Sequence, residues 1–138
     1  MKVKKLYFVI LITIVFFSSC REDIIPPNNP SSNINEPVRL ASNNSYTFIL
    51  NANSISTTVK DFSGLNGQHS TLTISLDNYV GGNVKLIIYD YSTQIIYQKF
   101  MSDNIAQYYV NLDNVTPYLL QIIFIDFTGN LKIELNNR

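Results

Sequence analysis

From Thr71 to Leu76 the chain reads Thr-Leu-Thr-Ile-Ser-Leu, apolar at every second residue. A helix cannot use that period, because its faces recur every 3.6 residues, whereas a strand turns alternate side chains to opposite faces. Leu72, Ile74 and Leu76 therefore share one face, and Thr71, Thr73 and Ser75 the other. The same period recurs in Tyr108, Val110 and Leu112 against Tyr109 and Asn111, and in Leu131, Ile133 and Leu135 against Lys132 and Glu134. These are strands of an antiparallel sheet with one buried face. Val84–Tyr91 and Tyr118–Phe127 are apolar on both faces, which suits central strands or a covered outer face. Weaker strands are expected over Tyr46–Leu50 and Ile55–Lys60.

Composition supports this period. Of the 101 residues from Val38 to Arg138, 39 are Val, Ile, Thr, Tyr or Phe and only three are Ala (41, 52, 106). That mixture favours pleated strands over helices. All five glycines (64, 67, 81, 82, 129) fall between apolar runs, where turns belong. Gly81-Gly82, Ser92-Thr93-Gln94 and Thr128-Gly129-Asn130 read as turns, the last two as hairpin connections. The expected fold is all-β: an antiparallel β-sandwich, immunoglobulin-like or jelly-roll-like, of about seven to nine strands. Its expected core includes Phe48, Leu72, Ile74, Leu86, Ile88, Val110, Leu112, Ile122 and Ile133.

The N-terminus follows other rules. Lys2, Lys4 and Lys5 precede an apolar run from Leu6 to Phe17. Twelve helical residues span about 18 Å, short of a bilayer core of about 30 Å. Residues 1–19 therefore read as a secretory signal peptide. Ser18-Ser19-Cys20 resembles the lipobox of bacterial lipoproteins, with Phe17 where the box usually has Leu. That resemblance implies acylation of Cys20 and a membrane partner through lipid. The alternative is an ordinary signal peptide with an incidental cysteine. Arg21-Glu22-Asp23 resembles the surface-export signal of lipoproteins in bacteria with type IX secretion, which implies an outer-membrane, surface-exposed protein; the alternative is the periplasmic leaflet. Residues 20–37 hold four of the five prolines (26, 27, 30, 37) and read as a tether, followed by one domain over 38–138.

Ser70–Leu135 resembles both the C-terminal sorting domains of type IX secretion substrates and small secreted β-sandwich lipoproteins of the same bacteria. The match runs through Asp90, Ile95-Ile96-Tyr97, Val110-Asn111-Leu112 and Tyr118-Leu119-Leu120-Gln121-Ile122. Pro117 stands where the pattern has Gly, and Tyr91-Ser92 replaces the Gly after the first Asp. The resemblance implies a sandwich and supplies no catalytic residues.

Charge narrows the function classes. Beyond residue 19 there are 7 basic and 10 acidic side chains, which excludes a strongly basic nucleic-acid binder. One Cys and one His exclude a disulfide framework and most zinc sites. His69 sits in a polar loop with no sequence neighbour to serve as nucleophile, and no G-x-S-x-G occurs. Asp-Asn pairs at 77–78, 103–104 and 113–114 suit turn chemistry better than a calcium loop. No enzyme activity and no cofactor are expected. The remaining signal is tyrosine. Tyr89 and Tyr91 lie in phase with Ile87, opposite Val84, Leu86 and Ile88, and nominate an outer-face binding stripe. The competing reading covers that stripe with a second packed sheet. The expected role is a non-catalytic, membrane-anchored binding or assembly module with a protein or glycan partner. Alternatives are a glycan-binding accessory protein, or an inhibitor of a co-secreted cysteine protease acting through Asn53–Ser56 or Phe62–Gln68.

Overall fold

The computed structural model describes residues 33–138. The expected signal peptide, Cys20 and most of the expected tether lie outside them. Six antiparallel strands follow one another without a helix: β1 (Val38–Ala41), β2 (Ser45–Phe62), β3 (His69–Tyr89), β4 (Ile95–Met101), β5 (Ile105–Asp113) and β6 (Leu119–Asn137). The all-β antiparallel expectation holds. Its strand count differs because β2, β3 and β6 are 18, 21 and 19 residues long.

Each long strand bends once, and the bends line up across the sheet. Register shifts fall between Ala52 and Ile55 in β2 and between Asp77 and Asn83 in β3, opposite Ile125–Gly129 of β6. At this line Ser54, Asn78, Asp126 and Gly82 all have positive φ (49°, 52°, 48° and 82°). A left-handed residue in a ladder makes a bulge and re-aims the strand. The bend is fastened by side chains. Asp126 N donates to Ser56 Oγ (2.8 Å), whose hydroxyl donates to Asp126 Oδ1 (2.9 Å), and Ser54 N donates to Thr128 Oγ1 (2.8 Å). Gly81-Gly82 and Thr128–Asn130, expected as turns, are therefore bends within continuous strands. The sequence cue was sound, since these residues do tolerate positive φ, but a bulge and a hairpin use the same residue types. Ser92–Gln94 does form the expected turn: Gln94 N donates to Asp90 Oδ1 at 2.8 Å, and Thr93 N to Asp90 O at 3.1 Å.

The bends fold one sheet over on itself. Its first half contains β1, residues 45–52, 129–137 and 69–77 of the long strands, and β5. Its second half contains residues 55–62, 119–127 and 81–89, and β4. Tyr46 Oη donates to Asp61 Oδ2 at 2.9 Å, although they stand 15 positions apart on one strand. Unbent, those residues would be about 50 Å apart. Phe48 and Phe124 meet between the halves with ring centroids 6.4 Å apart. Eight of the nine expected core residues are buried, and Val110 is partly buried against the same cluster. The period-two reading therefore set the register correctly.

The domain begins earlier than Val38. Ile34 bridges to Asn51, Asn35 N donates to Asn51 O (2.8 Å), and Asn53 N donates to Asn35 Oδ1 (2.8 Å). The last five residues of the expected tether are thus docked on β2. Asparagine side chains mimic backbone partners, which lets this stretch attach despite Pro37.

Candidate functional site

The two outer faces of the sandwich differ in chemistry. Residues paired across neighbouring antiparallel strands lie on one face. On the first half one such row reads Leu40, Thr47, Glu134, Thr73 and Tyr109. Lys132 and Glu134 pair there at 2.9 Å. On the second half the rows read Phe62, Leu119, Tyr89, Ile95; then Lys60, Gln121, Ile87, Gln98; then Thr58, Ile123, Lys85, Phe100. This face is apolar and cationic, and no carboxylate stands in these rows.

Ile87, expected on an exposed stripe, is only 7% exposed. It faces outward at the centre of the face, where its cross-strand neighbours Gln121 and Gln98 flank it. Tyr89 is half-buried, with its hydroxyl donating to Gln121 Oε1 at 3.0 Å. β3 ends at Tyr89, so Tyr91 belongs to the following turn and not to the strand. The three nominated residues do not form one open stripe. Tyr91 instead stacks on Tyr118 with centroids 4.2 Å apart, and Tyr118 meets Phe62 at 5.1 Å. Tyr91 and Phe62 stay 62% and 63% exposed. The open aromatic surface is thus Phe62–Tyr118–Tyr91, at the end of the face beside Leu119 and Tyr89. The sequence places Phe62 in an expected loop and Tyr118 at the start of an expected strand, and joins neither to Tyr91. No short-range pattern links these residues. The backbone does, through Tyr118 N donating to Tyr89 O (2.8 Å) and Ser63 N to Tyr118 O (2.9 Å).

A second layer does not cover this face: among the described residues, all strands belong to the two halves already in contact. The side edges are closed differently. At the β4–β5 edge, burial, reinforced by the neighbouring Tyr108 hydroxyl, pushes the Tyr97 hydroxyl pKa up. Lys99 Nζ sits 3.9 Å from the centroid of the Tyr108 ring. At the other edge, Arg39 Nε lies 3.2 Å from Asp61 Oδ2. Burial, reinforced by the Asp61 bond, pushes the Tyr46 hydroxyl pKa up. Beside this edge a groove of about 370 Å³ opens over Leu50, Ile55 and Val59.

His69, expected to lack a partner, has one. Its Nδ1 lies 3.0 Å from Asp113 Oδ1, an oxygen that also accepts from Arg138 Nη2. The His69 bond, followed by Arg138, holds the Asp113 carboxyl below its ordinary range. All three residues are exposed, and no hydroxyl nucleophile joins them in the hydrogen bonds they make. The segments considered for protease inhibition are not free loops. Asn53–Ser56 is the fastened bend. In Phe62–Gln68, Leu65 is buried and Ser63 Oγ donates to Pro117 O. Of the Asp-Asn pairs, Asn78 and Asn114 take positive φ, as turn chemistry expects, whereas Asn104 Oδ1 accepts from Tyr79 N, 25 residues earlier, at 2.9 Å. Among the described residues no group of three His, Cys, Asp or Glu is placed to hold a metal ion.

The sequence matches no protein-family model and no curated protein. Among solved structures it is similar to a chain of the disulfide-linked pili of Bacillus endospore appendages, at 10% identity and TM-score 0.44, over 80% of this chain and 97% of that one. It is also similar to BiXyn10A CBM1 in its apo form, at 8% identity and TM-score 0.43, over 79% and 94% of the two chains. A third is TmCBM61 in complex with β-1,4-galactotriose, at 11% identity and TM-score 0.38, over 74% and 70%. Likenesses at this level carry no argument about function, which rests on the chain's own residues.

Proposed function

We propose that this chain is a non-catalytic binding module for glycans of the cell envelope. Its ligand lies on the outer face of the second half, against Tyr91, Tyr118 and Phe62. One observation carries the reading: this face is open, carries a cluster of three aromatic rings and has no carboxylate in its rows, whereas the opposite face mixes Leu40 and Tyr109 with Thr47, Thr73, Lys132 and Glu134. Aromatic rings offer large rigid contact area at low conformational cost, and Tyr adds a polar tip. They pack on the C–H faces of sugar rings, while Gln98, Gln121 and the Tyr hydroxyls supply hydrogen bonds.

The test is a glycan array with the wild type and with Tyr91→Ala, Phe62→Ala and His69→Ala. Central aromatic truncations at a contact surface commonly cost over 1 kcal/mol, so Tyr91→Ala should weaken capture about tenfold. Because Tyr91 and Phe62 are largely exposed, their melting curves should move little. Equal capture by all four proteins, or loss in His69→Ala alone, would contradict the reading.

The same proposal puts the domain on an outer-membrane surface through lipid on Cys20, following the lipobox-like Ser18-Ser19-Cys20. Two or more acyl chains are needed for a stable anchor, since one binds only marginally. Labelled palmitate fed to cells should enter the wild type and not Cys20→Ala. Equal label in both would remove the anchor.

A further inference from the structure

We infer that the β3–β4 side of this face is a subsite for an anionic sugar ring, such as a uronic acid unit of an acidic polysaccharide. The inference rests on the glycan-binding reading and adds the charge class of the ligand. Lys85, Gln98, Lys99 and Phe100 line a recess of about 420 Å³. Phe100 is 61% exposed and offers its ring to an apolar sugar face. Gln98 offers a carboxamide to a ring hydroxyl.

The cations are the decisive part. Arg39, Lys132 and Arg138 are each paired with a carboxylate. Lys60, Lys85 and Lys99 enter no ion pair among the described residues, and all three belong to the second half. Residues 33–138 carry six basic and eight acidic side chains, so unpaired lysines gathered in one half run against the overall balance. Nearby acids are already engaged. Asp61 is taken by Tyr46 and Arg39, Asp90 by the hairpin turn, and Asp126 by Ser56. Lys99 lines part of the recess wall, while its ammonium lies over Tyr108 on the other side of β4. Lys85 stands directly across from Phe100 on the outer face, and an ammonium beside an aromatic wall fits a carboxylate borne on a ring.

Other occupants fit less well. A second copy stacked on this face would offer Lys60 and Lys85 further lysines and, from the rows above, no carboxylate. A bilayer surface is planar and would leave the recess unfilled.

Binding of the purified chain to polygalacturonate should be measured beside its fully methyl-esterified form and beside phosphatidylglycerol vesicles. Polygalacturonate should bind at least about tenfold more tightly than the ester, and added salt should weaken it as the screening length falls below about 8 Å. Lys85→Gln should weaken it about tenfold, and Lys85→Arg should restore most of the loss. Lys132→Gln on the opposite face should leave it unchanged. Equal affinity for both polymers would overturn the charge reading while leaving glycan binding intact. Binding to neither polymer, or to vesicles alone, would overturn it as well, and the aromatic variants on the array would then judge the broader reading separately.

Discussion

Gly82→Ala is expected to destabilise the domain by about 3 kcal/mol or more, and to do so without removing a single side-chain contact. Gly82 has φ of +82°, and a Cβ built there would overlap the backbone carbonyls of Ile125 and Asp126. The left-handed conformation alone costs an L-residue about 1–2 kcal/mol. Overpacking adds typically about 1–3 kcal/mol, and here the obstacle is backbone, which cannot swing aside. The bend at this point is what brings the two halves together, and Tyr79 Oη donates to Gly82 O at 2.8 Å to hold it. Gly81→Ala next to it has no neighbouring atom within 4 Å and should cost far less. Denaturant melts of the two variants check this. Equal losses would mean that the bend does not depend on close approach at Gly82.

Ile74→Ala should lower stability by about 2–5 kcal/mol, a large share of a small domain's roughly 5–15 kcal/mol. Ile74 is fully buried and pairs with Ile133 on one side and Tyr108 on the other. Its neighbour Thr73 points outward between Glu134 and Tyr109, so Thr73→Ala should cost about 1 kcal/mol or less. For a domain of this size the first loss corresponds to a fall in melting temperature of at least about 10 °C. The opposite ranking would require a one-residue slip of β3, which exchanges both faces.

These two sites mark where the sequence was legible and where it was not. Ile74 was readable because alternation is local: each residue's face follows from its neighbours two positions away. The bend at Gly82 was visible only as a turn cue. Whether such a cue ends a strand or bends it depends on partners far along the chain, here Ser54 and Asp126. The same limit applies to the proposed binding face. Tyr89 and Ile87 follow from phase along β3, but Ile87 is buried between its neighbours on β4 and β6, whose register the sequence does not show. Tyr91 was right as an exposed aromatic and wrong as a strand residue. Tyr118, 27 positions away, stacks on it, and Phe62, 29 positions away, meets Tyr118; the three gather only because β2, β6 and β3 run side by side in the second half. The pairing of His69 with Asp113 was likewise hidden, since β3 and β5 had first to be placed side by side.

The most direct test of the account is a map of backbone amide shifts on adding a glycan captured by the array. The account predicts changes at Phe62, Tyr89, Tyr91, Gln98, Phe100 and Gln121, with Thr71, Thr73, Tyr109 and Glu134 unmoved. Changes confined to the first half's outer face, or to the groove over Leu50 and Val59, would contradict it.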